Sequence, residues 1–177
     1  KMSKPVMPGA VAGKVRSGIS KELGLNKDTI IVSGCHDQVA ATVGAGVFNT
    51  GMAIDGTGTV ECITPVFENI PDHLDLYNGG YAVLPYVLPG KYVCYAFSFT
   101  GGAVLKWFRD NLCKYEATIS KNVYSALDNK IPNNPTGILV LPHFAGAATP
   151  YMDSNSKAAI IGLTLETTEH DIYKALM

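Results

Sequence analysis

The chain has no C-x-x-C pair: its four cysteines, Cys35, Cys62, Cys94 and Cys113, lie far apart. That excludes the common zinc frameworks, and no residue is assigned as a metal ligand. A chain of this size and apolar content needs no disulfide framework, so the cysteines read as reduced thiols of a cytoplasmic protein. There is no basic block and the formal net charge is -1. Nucleic acid and anionic membrane surfaces therefore have no support as partners. No apolar run approaches the ~18 residues that a membrane-spanning helix needs, and the opening residues lack the apolar core of a signal peptide. Two phosphate-binding patterns are missing as well. Without G-x-x-x-x-G-K-[ST] there is no P-loop. Without G-x-G-x-x-G, the Gly44-Ala45-Gly46 run is a packing or boundary feature.

What is present is 177 residues, 47% hydrophobic and 16% charged, the balance of a soluble globular protein with a real core. The length fits one domain, or one domain plus a piece of another. Both ends look cut. The chain opens at a lysine with a Pro/Gly-rich loop or edge strand, KPVMPGAVAGKV, and ends at Met177 inside a helical pattern with no C-cap signal. A fragment of a longer polypeptide is expected.

The stretch from Gly34 to Thr59, GCHDQVAATVGAGVFNTGMAIDGTGT, organises the rest. Ile30-Ile31-Val32 leads into a small-residue corner, followed by Asp37. Met52-Ala53-Ile54 leads into Asp55-Gly56-Thr57-Gly58-Thr59. One loop thus presents a carboxylate and the other glycines and hydroxyls, the pairing that phosphoryl transfer to an alcohol requires. Each has a plainer reading. Gly-Thr-Gly between two strands can be a hairpin turn and nothing more, although consecutive N–H groups in such a turn form an anion nest. Asp37 can be a helix cap. Cap and base are compatible, since a helix N-terminus favours a negative charge. His36 is expected to point away from Asp37. Trp107 is expected in the core.

Patterning places a helix at 17–25, stopped by Gly24, a buried strand at 29–33 and a helix at 38–45 with Asp37 near its N-cap. Val47 to Gly51 carries turn chemistry, and the domain boundary falls between residues 46 and 47. Strands follow at 51–55, 59–64 and 91–97, the first two as an antiparallel hairpin. Tyr81 to Val87 is a further strand or loop arm. Helices are expected at 101–112 and 120–129, a buried strand at 138–141, a long loop at 142–157, a short strand at 160–163, and a final helix from 168. In that helix Thr168 and Asp171 form a capping-box pattern. The order predicts an α/β fold with an antiparallel start and a mixed sheet.

Four blocks in order carry a resemblance to the FGGY family of carbohydrate kinases, within the actin-like ATPase superfamily. IIVSGCHDQVAATVGAG resembles the family's G-x-x-D-Q stretch, which implies that Asp37 is the catalytic base. MAIDGTGTVE resembles its second phosphate loop, which implies Gly56, Thr57 and Thr59 at the terminal phosphates. FTGGAVLKWFRD resembles a helix start that touches the nucleotide, through Gly102 and Lys106. LPHFAGAATPYMDSNSKAAIIGLTLETTEHDIYKALM resembles the family's L-P-x-x-x-G-x-x-x-P-x-x-D loop and second signature, at Ala158, Ile160, Gly162, Leu163, Asp171, Ile172, Ala175, Leu176 and Met177.

The resemblance implies an incomplete ribonuclease-H-like, actin-like ATPase fold. Residues 1–46 would close the sugar-binding N-terminal domain, and 47–177 would begin the nucleotide-binding C-terminal domain. The family's N-terminal D-x-G-T loop and late adenosine loop are absent, so the fragment alone is expected to be inactive. The parent protein would use ATP and Mg2+ to phosphorylate a ketose, with a pentulose such as xylulose favoured, or a polyol. Magnesium ligands would lie mostly outside this chain, and the parent could be a homodimer. The alternatives are an actin-like ATPase module without a sugar substrate and a non-catalytic structural domain.

Overall fold

The computed structural model describes residues 4–70, 73–113 and 121–177. The Pro/Gly-rich opening supplies β1 (Val11–Lys14), and the helix stopped near Gly24 is α1 (Ser17–Glu22). β1 pairs antiparallel with β2 (Ile30–Val32). The expectation that β2 is buried is corrected. Ile30, Ile31 and Val32 are each about half exposed, because β1 is the strand's ladder partner in a two-stranded sheet.

Helix α2 spans Asp37–Gly44. After it comes a four-stranded antiparallel sheet. Its strands are β3 (Ala53–Thr57), β4 (Glu61–Phe67), β5 (Ala82–Pro85) and β6 (Tyr92–Ser98), in the order β3-β4-β6-β5. The expected hairpin is present, with Asp55 opposite Ile63 and Thr57 opposite Glu61. A short helix that patterning does not mark, α3 (His73–Asn78), precedes β5.

The later elements are α4 (Gly102–Leu112), α5 (Val123–Asp128), β7 (Leu139–Leu141), β8 (Ala159–Ile161) and α6 (Glu169–Leu176). Ser120, the expected start of the second of these helices, lies outside the described residues. Asn122 caps α5 instead, its side chain accepting from the Ser125 amide at 3.2 Å. The Thr168–Asp171 capping box closes in both directions, at 3.3 and 2.8 Å. Glu169 and Asp171 add negative charge to the same first turn, where the helix dipole favours it.

The α/β class and the antiparallel start hold. The expected mixed sheet is corrected in one respect: every strand ladder among the described residues is antiparallel. β7 follows a helical crossover, the connection that usually supplies a parallel strand, but its partner is β8. β7 is also less buried than expected, with Leu139 at 70% exposure.

Among the described residues, two apolar clusters form the core. In the first, Val39 of α2 and Val47 pack with Val66, Tyr86 and Val93 of the four-stranded region. The Tyr86 hydroxyl donates to the Val47 carbonyl at 2.8 Å. In the second, Phe108 of α4, Cys113, Leu127 of α5 and Tyr173 of α6 pack together. The amphipathic spacing of α4 explains its part: Val104 and Phe108 face inward, while Lys106 and Trp107 remain exposed.

Candidate active site

The site is built where α2 meets the β3–β4 hairpin. His36 keeps an extended backbone and is the N-cap of α2, so Asp37 is the first helical residue rather than the cap. The Gln38 amide donates to Asp37 Oδ1 at 2.7 Å. The Asp37 side chain is 94% exposed, so its carboxylate is open to an incoming group.

The expectation for His36 is corrected. Its Nδ1 lies 2.9 Å from Asp37 Oδ1 and 3.0 Å from the Tyr95 hydroxyl, and its ring rests against that of Tyr95 at 5.3 Å. Neighbouring side chains converge here because residue 36 is still extended while residue 37 is helical.

Gln38 ties the start of α2 to the sheet. Its Nε2 donates to the Cys62 carbonyl at 3.2 Å and to Thr64 Oγ1 at 3.3 Å. The amide lies against Gly56, where a Cβ would come within 2.6 Å of Nε2. Gly56 therefore gives the α2 side chain its room. The G-x-x-D-Q spacing held this signal, but only the register of β3 and β4 reveals what Gln38 touches.

Gly56 and Thr57 belong to strand β3, and the turn itself is Gly58 to Val60, closed by the Gly58 amide donating to the Val60 carbonyl at 2.9 Å. This turn is seated on the start of α4. Gly101 and Ala103 amides donate to the Thr59 carbonyl at 3.0 and 3.2 Å, and the Gly102 amide donates to the Gly58 carbonyl at 2.7 Å. The first α4 amides thus satisfy the hairpin's carbonyls.

Of the expected residues, Thr59, Gly102 and Lys106 line one cavity of about 680 Å³ together with Gly58, Trp107 and Asp110. Thr57 and Gly102 line a second, of about 410 Å³. Asp37 and Gly56 line neither of these. Trp107 is corrected from core to cavity wall: it is 37% exposed and its ring packs on Phe144 with centroids 4.7 Å apart. Beyond it, Arg109 pairs with Asp110 at 2.7 Å and holds that carboxyl below the usual range through their hydrogen bond.

The second cavity holds a pair that motif reading passed over. Asp55 and Thr57 alternate onto one face of β3, and Glu61 opposite Thr57 shares it. Burial, the Asp55 charge and a hydrogen bond to Asp55 push the Glu61 carboxyl up. No group of three or more His, Cys, Asp or Glu among the described residues is placed to hold a metal ion. The first cavity brings together the Lys106 ammonium, the Thr59 hydroxyl and the Asp110 carboxyl.

The chain resembles known proteins over most of its length. Residues 56–177 match the FGGY family of carbohydrate kinases, C-terminal domain. The xylulose kinase of Staphylococcus epidermidis (strain ATCC 12228 / FDA PCI 1200) is 26% identical over 93% of this chain and 32% of its own length. The glycerol kinase of Borrelia duttonii is 34% identical over 80% of this chain and 28% of its own. Among solved structures, xylulose kinase from Rhodospirillum rubrum superposes with a TM-score of 0.78 at 20% identity, covering 97% of this chain and 33% of that one. Plasmodium falciparum glycerol kinase with ADP gives 0.72 at 23% identity, covering 96% and 32%. At these identities the two structures speak to the fold. The chain spans about a third of the length of the curated relatives it matches. It belongs to the FGGY family of carbohydrate kinases.

Proposed function

We propose that the chain is part of an ATP-dependent kinase that phosphorylates a hydroxyl of a ketose or polyol, with a pentulose such as xylulose as the favoured acceptor. The observation that carries this reading is Gln38 seated against Gly56. Through it the exposed carboxylate of Asp37 and the strand leading into the Gly58–Val60 turn are held as one unit.

Asp37 acts as the base. It takes the proton of the acceptor hydroxyl as that oxygen bonds to the γ-phosphorus and the bond from phosphorus to the ADP oxygen breaks. Thr57 and Thr59 offer hydroxyl donors, Lys106 a cation, and Gly56 and Gly102 the close backbone approach that keeps these elements together. Mg2+, with ligands mostly outside this chain, would neutralise charge on the phosphates.

Residues 1–46 close the sugar-side domain and residues 47–177 begin the nucleotide-side domain. The family match beginning at residue 56 supports that division. The parent protein works in the cytoplasm, without nucleic acid or membrane as partner, and a homodimer is compatible with the reading. The fragment alone lacks most of its cleft and does not turn over ATP.

The test is a coupled ADP-release assay on the full-length protein against a panel of ketoses and polyols. Sugar-dependent release supports the reading and names the acceptor. Release that ignores added sugar, or none with any acceptor, overturns it.

A further inference from the structure

We propose that His36 is the positioning residue of Asp37, and that Tyr95 fixes His36 for that purpose. The inference rests on the kinase reading above and goes beyond it. Three groups surround His36 Nδ1: Asp37 Oδ1 at 2.9 Å, the Tyr95 hydroxyl at 3.0 Å and the Gln38 amide at 3.3 Å.

These contacts do not all hold at once. An ionised carboxylate has no proton to give. In the tautomer that fits an ionised Asp37, Nδ1 carries the proton and donates to Oδ1 at 2.9 Å. The Gln38 amide then keeps its shorter bond, 2.7 Å to the same Oδ1, and gives up the contact to Nδ1. Asp37 Oδ1 thus receives two N–H donors, one from the backbone and one from the imidazole. Oδ2 is left facing solvent on a side chain that is 94% exposed. Of the two carboxylate oxygens, one is held and the other is free for the acceptor hydroxyl.

Tyr95 gives this arrangement its rigidity. Its ring packs beside the imidazole at 5.3 Å, and its hydroxyl oxygen, 3.0 Å from Nδ1, accepts a share of the same N–H. Tyr95 lies on β6, a central strand of the four-stranded sheet, and packs against the first apolar cluster. Burial, with Cys62, Asp37 and Cys35 nearby, pushes its hydroxyl up, so it remains a neutral phenol. The imidazole is therefore held from the sheet, and Asp37 from the imidazole. A bare aspartate at the first position of a helix would swing among several rotamers. Holding one of them is the kind of positioning whose loss lowers the rate of the chemical step rather than nucleotide binding.

The experiment uses the full-length protein, ATP, and whichever of D-xylulose, gluconate and glycerol gives the greatest ADP release. His36→Ala is expected to lower kcat by about tenfold or more with KM for ATP unchanged. His36→Asn, whose side-chain amide can donate from near the Nδ1 position, should recover part of that loss. Tyr95→Phe removes one hydroxyl from the sheet side and should lower kcat several-fold, again without moving KM for ATP. If wild type releases ADP with an acceptor and all three variants keep its kcat, the inference falls and the kinase reading stands. If His36→Asn is no better than His36→Ala, the Nδ1 contact is not what matters, and the inference falls likewise. If wild type releases no ADP with any acceptor, both fall together.

Discussion

The amide of Gly102 donates to the carbonyl of Gly58 at 2.7 Å, joining the start of α4 to the turn between β3 and β4. The contact is too close for any side chain at residue 102: a Cβ there would lie 2.9 Å from the Gly58 oxygen. Gly102→Ala must push the turn and helix apart, a local overpacking that costs about 1–3 kcal/mol. The turn's Thr59 and the Lys106 ammonium lose their common position in the larger cavity. The full-length variant should show a lower Tm and weaker ATP affinity, by thermal unfolding and by calorimetric titration. Unchanged affinity would separate this glycine from the nucleotide.

Gly56→Ala acts on the other side of the same hairpin. The added methyl meets the Gln38 amide, which is mobile enough to move but gives up its bonds to Cys62 and Thr64 in doing so. Each such bond contributes about 1 kcal/mol, and the link between Asp37 and the sheet loosens with it. Turnover should fall more than stability. Gln38→Ala in the Gly56→Ala background should add little, because both changes remove one contact. Additive losses in that double-mutant cycle would contradict the shared contact.

Much of this was legible in the sequence. The β3–β4 hairpin, the amphipathic period of α4 and the Thr168–Asp171 box each rest on residues close together in the chain, where local chemistry decides; the turn itself falls at Gly58 to Val60, two residues later than Gly-Thr-Gly suggests. What escaped depends on distant partners. Ile30-Ile31-Val32 reads as a buried strand because it is apolar on both faces, yet its exposure is set by what packs on it. Trp107 reads as core by size, but the helical stripe of Val104 and Phe108 takes the inward face and leaves Trp107 against Phe144. His36 reads as facing away from Asp37 until the backbone change between them, and Tyr95 on another strand, are known. Asp55 and Glu61 share a face only once the hairpin register is fixed.

Tyr173 predicts how the second cluster responds to alkali. Burial, with a hydrogen bond to Asp128 at 2.9 Å, pushes its hydroxyl up to about 12. In the unfolded chain it ionises near 10. The raised value means that the folded state holds the proton longer, so this contribution is intact below about pH 10 and is lost as pH rises through about 12. Denaturant midpoints measured across that range should fall for wild type. They should fall less steeply for Tyr173→Phe, which has no proton to lose. Parallel curves would show that Tyr173 titrates alike in both states.

The central claim is that Asp37, held at the start of α2, removes the proton from a sugar hydroxyl. The most direct measurement compares wild type with Asp37→Asn in the full-length protein, following sugar-dependent ADP release alongside ATP affinity. The account predicts that ATP affinity stays close to wild type while turnover falls by roughly 10² or more, the loss expected when a positioned base is removed. Near-normal turnover in Asp37→Asn would contradict it.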